Sequence, residues 1–236
     1  MIGIICALKI EVEGIQKLMS SPGKVTYARM DFIKGIISGR DVVAVECGIG
    51  KVNAAICAQA MIDLFKPDVI INSGISGALN DKISIGDVVI ARDVVQHDMD
   101  GTAMGDPPGE IWFNDEKKIS IETDKKVSNC LFKACSTLKK TKTIFGRIAT
   151  GDTFVEAKEK RLEIGEKFGA DSCEMEGGAV GQVCYRNGVP FGILRCISDD
   201  INQNDFMDFN KFKNLASEKS IKAMTFFIRE YHTNPQ

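Results

Sequence analysis

Residues 52–78 read VNAAICAQAMIDLFKPDVIINSGISGA, and the fold is decided here. The first half sets Ala54, Ala55, Cys57, Ala58, Met61 and Ile62 at helical spacing, which predicts a long helix over Val52–Phe65. Lys66-Pro67 ends it, since proline has no N–H to give and disfavours a helical residue before it. Asp68–Asn72 follows as a continuous apolar run. A strand without alternation has both faces covered, as in a sheet between two layers of helices. Ser73-Gly74-Ile75-Ser76-Gly77-Ala78 then reads as the exit from that strand, and in open α/β sheets ligands bind beyond the carboxyl ends of strands. Its small residues could admit a flat ligand. Taken alone, they read equally well as a glycine-rich connection with no ligand.

Working outward, Met1–Ala7 is an apolar strand and Glu11–Met19 a short amphipathic helix, while Phe32–Ser38 and Asp41–Glu46 form a hairpin around Gly39-Arg40. Downstream come strands at Asp87–Val95, Ile144–Thr150 and Phe191–Ile197. Helices are expected at Lys126–Leu138, Lys158–Phe168, Gly177–Asn187 and Phe209–Tyr231. Gly177, Gly178, Ala179 and Gly181 imply that their helix packs closely. The alternation gives an α/β fold, a twisted mixed β-sheet flanked by helices, with the hairpin supplying mixed strand direction. Residues 1–236 suit a single domain; two small domains are the alternative the length permits. The loop Asp98–Asn114 is long for a compact domain, and such loops are usually functional or disordered.

Composition narrows the function. A formal net charge of -2 offers no basic field for nucleic acid or an anionic membrane surface. No apolar run approaches the roughly 20 residues of a bilayer span. Met1–Leu8 shows no basic n-region or cleavage site, so a cytoplasmic protein is expected. Eight cysteines without C-x-x-C spacing read as reduced core thiols. With only His97 and His232 to add imidazoles, no metal site is expected.

Three further places could carry chemistry. Gly48-Ile49-Gly50-Lys51 matches a dinucleotide-binding loop weakly, because the third glycine would fall at Asn53; a tight strand-to-helix turn is the plainer reading. Glu174-Met175-Glu176 precedes a glycine-rich helix, whose positive end is expected to lower a carboxylate's pKa. Asp199 follows a strand of buried type, the desolvated setting in which a general acid can work near neutral pH. A helix N-cap is the alternative for Asp199, and Asp200 could fill that role too.

Together these places resemble the nucleoside phosphorylase/nucleosidase superfamily. Gly3-Ile4-Ile5-Cys6-Ala7 with Glu11 carries the resemblance, as do Gly48–Ala55, Pro67–Gly74, Gly86-Asp87-Val88-Val89 and His97-Asp98. It continues through Gly151-Asp152-Thr153-Phe154, Glu174-Met175-Glu176 and Arg195-Cys196-Ile197-Ser198-Asp199. In this order the motifs match the methylthioadenosine/S-adenosylhomocysteine nucleosidase branch. The resemblance implies an adenine nucleoside substrate, no cofactor, and a homodimer in which the neighbouring subunit completes the 5′ pocket. It implies that Asp199 protonates adenine N7 and that Glu11 deprotonates the attacking water. It implies that Glu176 holds the ribose hydroxyls with Met175 against the sugar, and that Phe154 stacks on adenine while backbone at Val155 bonds it. Ser198 and Arg195 would support the acid and the ribose carboxylate, and Ile49, Gly77 and Phe209 would line the rest.

The chemistry accounts for this set. Breaking an N-riboside passes through an oxocarbenium-like state, so one carboxyl neutralises the departing base while another supplies water, as in inverting glycosidases with carboxyls roughly 6.5–9.5 Å apart. Departures from the pattern fall on the 5′ side, at Ile75 and in the short Gly105–Gly109 loop with Met104. A purine nucleoside phosphorylase would need arginines to hold phosphate, and the sequence near Glu11 has none before Arg29. A non-catalytic nucleoside-binding protein would have no use for both Glu11 and Asp199, and a nicotinamide-dependent dehydrogenase rests only on the weak glycine loop.

Overall fold

The computed structural model describes residues 1–201 and 205–232, with the side chains of 205–211 outside that description. Strand β1 (Ile2–Cys6) leads into α1 (Lys9–Gln16), then β2 (Ser20–Tyr27), β3 (Met30–Ile37) and β4 (Arg40–Glu46). Helix α2 (Lys51–Phe65) feeds β5 (Val69–Ala78) and β6 (Val88–Gln96), and short strands β7 (Ile111–Trp112), β8 (Lys117–Lys118) and β9 (Ser120–Glu122) follow. The rest alternates: α3 (Lys125–Ser136), β10 (Thr143–Thr150), α4 (Lys158–Phe168), β11 (Ser172–Glu174), α5 (Gly177–Asn187), β12 (Phe191–Asp199) and α6 (Asp205–Glu230).

A ten-stranded mixed sheet runs in the order β11-β10-β6-β12-β5-β1-β4-β3-β2, with β9 added to β6. Strand β1 is parallel to β4 and β5, whereas β12 is parallel to β5 and antiparallel to β6. The far end of β5 also pairs with β11, Ala78 opposite Ser172 and Gly77 opposite Cys173. Strands β5, β12, β6, β10 and β11 therefore close into a ring.

Neighbouring residues divide between the faces of the sheet, as the period of two requires. Ile4, Val42, Ile71 and Ile90 pack with α1, α3 and α6, while Ile5, Val43, Ile70 and Val89 pack with α2 and α5. Each such side chain contributes about 1.5–3 kcal/mol by leaving water. A third cluster, including Val95, Ala149, Ile164 and Phe168, seats α4 against the ring. In α5, a Cβ on Gly181 would stand 3.0 Å from the Phe191 ring, which is the close packing expected there.

Two strands run further than the sequence reading placed them. The run expected to end at Asn72 continues to Ala78, and the one expected to end at Ile197 reaches Asp199. Backbone pairing between the two strands carries both extensions, with Leu194–Ile197 opposite Ser73–Ser76. Ser73–Ala78 is thus strand, not exit. Strand β2 was not anticipated. It is exposed throughout, so it leaves no burial pattern, and pairing with β3 holds it. Among the described residues, no helix is long and apolar enough to cross a membrane.

Candidate active site

One cavity lies where β1, β5, β11 and β12 end and α2 begins, and both Glu11 and Asp199 line it. Glu11 sits in the first turn of α1, buried. Its Oε2 accepts the Leu8 N–H at 2.9 Å and its Oε1 the Ile75 N–H at 3.1 Å. These bonds fix the carboxyl over β5, where Gly74 makes room: a Cβ there would stand 2.9 Å from Glu11 Oε1 and 2.9 Å from Arg195 Nη1. Burial pushes the Glu11 carboxyl above its usual range, against the Leu8 N–H and the charge of Arg195. A carboxyl shifted in that direction is a better base near neutral pH.

Arg195 enters from the middle of β12, almost wholly buried. Its Nη2 bonds Asn72 Oδ1 at 2.5 Å, forms an ion pair with Glu174 Oε2, and lies 3.7 Å from Glu176 Oε2. The sequence reading left open which carboxylate meets the helix end. The structure gives it to Glu174, whose Oε2 accepts the N–H of Glu176 at 3.0 Å and of Gly177 at 2.7 Å. Burial alone would raise the Glu174 carboxyl, but Arg195, Thr150 and the Gly177 N–H together hold it below the usual range. Glu176 moves the other way, to about 7, because it is buried and faces the charge of Glu174. The lowering expected at this helix end thus falls on Glu174, which takes the helix dipole, and not on Glu176.

Glu176 Oε1 accepts the Gly50 N–H at 3.0 Å, and Asp152 Oδ1 accepts the Lys51 N–H at 2.7 Å. Gly50, at φ +99°, takes a conformation that favours glycine, and this points its amide at the carboxylate. The loop Gly48–Lys51 thus spends its first amides on internal carboxylates, which removes the basis for a dinucleotide reading.

Asp199 ends β12 just past an irregularity at Ser198, where the register with β5 shifts so that Asp199 faces Gly77. Bulges of this kind re-aim side chains beside active sites. Ser198 Oγ donates to Asp199 Oδ1 at 2.6 Å, and Arg161 Nη2 pairs with Oδ2. The N-cap alternative for Asp199 does not survive, because the residue belongs to a strand and its oxygens are engaged by side chains.

Ile49, Gly77, Phe154, Val155, Met175 and Ser198 line the same cavity, with the Phe154 ring half exposed and Val155 buried. The side chain of Phe209 lies outside the described residues. Glu174 and Asn72 stood within quoted motifs without a role of their own, and Arg161 was not singled out from sequence. Among the described residues, no group of three or more His, Cys, Asp or Glu is placed to hold a metal ion.

The fold and these paired carboxyls define an α/β protein with an acid–base site in one cavity, and comparison with known proteins gives its family. The family model of the Phosphorylase superfamily matches residues 1–229, and the chain belongs to that family. Within it, a relative from Shewanella halifaxensis (strain HAW-EB4), a 5'-methylthioadenosine/S-adenosylhomocysteine nucleosidase, is 38% identical over 212 residues, covering 89% of this chain and 91% of its own. The crystal structure of the nucleosidase of the same name from Neisseria meningitidis, in complex with methylthio-immucillin-A, superposes with a TM-score of 0.92 at 29% identity, covering 98% of this chain and 99% of that one. The native futalosine hydrolase of Helicobacter pylori strain 26695 is similar at a TM-score of 0.89 and 30% identity, covering 98% and 97%.

Proposed function

We propose that this protein hydrolyses the N-ribosidic bond of 5′-methylthioadenosine and S-adenosylhomocysteine, releasing adenine and the 5-substituted ribose. The observation that carries the reading is the pair Glu11 and Asp199, two buried carboxyls lining one cavity in a chain of this family. Asp199 gives its proton to adenine N7, so the base leaves with the bonding electron pair as a neutral molecule. Glu11 takes a proton from water, whose oxygen adds to C1′ of the oxocarbenium-like sugar. Each proton transfer supplies about 10²–10⁴-fold in rate. Glu176, steered by the Gly50 amide and Arg195, accepts from the ribose hydroxyls while Met175 packs on the sugar. Phe154 stacks on the base and the Val155 backbone bonds its edge, with Ile49 toward the 5′ substituent.

Phosphorolysis would need a cation free to hold phosphate beside Glu11. The arginine that the fold brings there is Arg195, already engaged by Glu174, Glu176 and Asn72. We read residues 1–236 as one catalytic domain, with the family match spanning 1–229. The eight cysteines, all free thiols, support a cytoplasmic location. Exposed Val52 and Ile56 on α2, beside Ile49 at the cavity, support a homodimer that covers this side.

The test is incubation with methylthioadenosine, S-adenosylhomocysteine, 5′-deoxyadenosine and a futalosine-type nucleoside in phosphate-free buffer, followed by chromatography of the base. Free adenine and unphosphorylated sugar are expected from the first two. Dependence on added phosphate, or a phosphorylated sugar, overturns the hydrolase reading.

A further inference from the structure

Helix α4 is charged on nearly every turn, and Lys158, Glu159, Lys160, Glu163, Glu166 and Lys167 all face water. Arg161 does not. It is 1% exposed and shares its face with Ile164 and Phe168. A guanidinium taken from water costs several kcal/mol unless its donors are matched. Here Nε donates to the Val155 carbonyl at 2.8 Å, Nη1 makes a long contact of 3.5 Å to the Ala78 carbonyl, and Nη2 pairs with Asp199 Oδ2. Gly77 supplies the space, because a Cβ there would stand 2.7 Å from Asp199 Oδ2 and 3.1 Å from both terminal nitrogens of Arg161.

From this geometry we propose that Arg161 is a positioning residue for proton delivery to the leaving base, an inference that rests on reading Asp199 as the acid. One planar fork ties the segment that receives the base, at Val155, to the group that protonates it. Ser198 fixes one oxygen of Asp199 and Arg161 the other, so the carboxyl is not free to turn away from the base. When the proton passes from Asp199 to the base nitrogen and the C–N bond breaks toward the base, an aspartate remains in a buried site. Arg161 neutralises it without moving and keeps all its own protons. The plainer role is an ion pair that merely fastens α4 to the sheet.

The two roles separate in a double-mutant cycle on methylthioadenosine, with Arg161→Met and Asp199→Asn alone and together, and with adenine binding and thermal unfolding measured for each variant. Arg161→Met is expected to lower kcat by about 10²-fold with KM changed less than about threefold, the scale of a misplaced catalytic group. In the Asp199→Asn background the same change is expected to cost less than about threefold more, because residues acting as one unit are not additive. Should Arg161→Met fail to fold, Arg161→Lys, which keeps the charge and loses the fork, takes its place, with a kcat loss of at least about tenfold expected. Losses that multiply in the double variant, or that only follow the folded fraction, overturn the proposal. If Asp199→Asn alone turns over normally, the reading of Asp199 as the acid fails instead.

Discussion

Glu174 and Glu176 stand two residues apart and are driven in opposite directions by what surrounds them. Glu174 accepts the amides that open α5 and pairs with Arg195, whereas Glu176 gets the Gly50 amide and a more distant Arg195. Because the Glu176 carboxyl is raised from 4.5 to about 7, it is protonated in the fold where the unfolded chain is already ionised. Stability that it contributes is present below about pH 4.5 and is lost as pH rises toward about 7, by at most about 3 kcal/mol. Glu176→Gln is therefore expected to flatten this part of the stability curve and to raise Tm near pH 8. Nucleoside binding, which uses the charged acceptor, weakens in the same variant. Parallel melting curves for the two proteins from about pH 5 to about 8 would contradict this. Glu11→Gln tests a different property of a similar group. The amide keeps the shape but cannot take a proton from water, so turnover should fall by about 10²–10⁴-fold while calorimetric binding of the nucleoside stays nearly intact. Lost binding would mark Glu11 as structural.

At the scale of elements, the site is organised by β5 more than by any loop. Gly74 lies under Glu11 and Arg195, and Gly77 under Asp199 and Arg161, so one strand passes beneath both carboxyls. Gly74→Ala would push against the ends of two long side chains, which can yield, so folding should tolerate it. The same shift moves Glu11 off the water, and kcat is expected to drop by about 10²-fold with Tm nearly unchanged. Gly23→Ala on β2, where an added Cβ meets nothing within 4 Å, is the control and should leave both readouts alone. An active Gly74→Ala protein would refute this account of β5. The same strand marks what the sequence could reveal. Helices α4 and α5 were legible to the residue, α4 from its charged amphipathic pattern and α5 from the small residues that let it pack closely. Ser73–Gly77 was misread as an exit because small residues leave no pattern, although the backbone still pairs. Arg161 was hidden among exposed charges, and its one signal is helical spacing with Ile164 and Phe168. Glu174 was part of a recognised motif, yet only the backbone geometry at the start of α5 tells it from Glu176.

For the whole molecule, the open question is what covers the side of the cavity where Ile49 lies 54% exposed. Val52 and Ile56 stand four residues apart on α2, which places them on one face, and both are exposed. Single apolar side chains at a surface need no explanation, but because this run begins at the cavity we propose it as the contact of the homodimer. A second copy laid on this face would seal the 5′ end of the pocket with apolar surface. Burying a methylthio group there should favour binding by on the order of 1–2 kcal/mol, so kcat/KM for methylthioadenosine is expected to exceed that for adenosine by about five- to thirtyfold. Val52→Asp places a charge in the contact without touching Glu11, Glu176 or Asp199. It is expected to sediment as a monomer and to lose most of that preference, while its residual turnover of adenosine persists. Val25→Asp, at an exposed apolar position on β2, should change neither the association nor the preference. A monomeric Val52→Asp protein that still prefers methylthioadenosine by the full factor would show that one chain completes its own 5′ pocket. The apolar run on α2 would then have to answer to something other than this substrate.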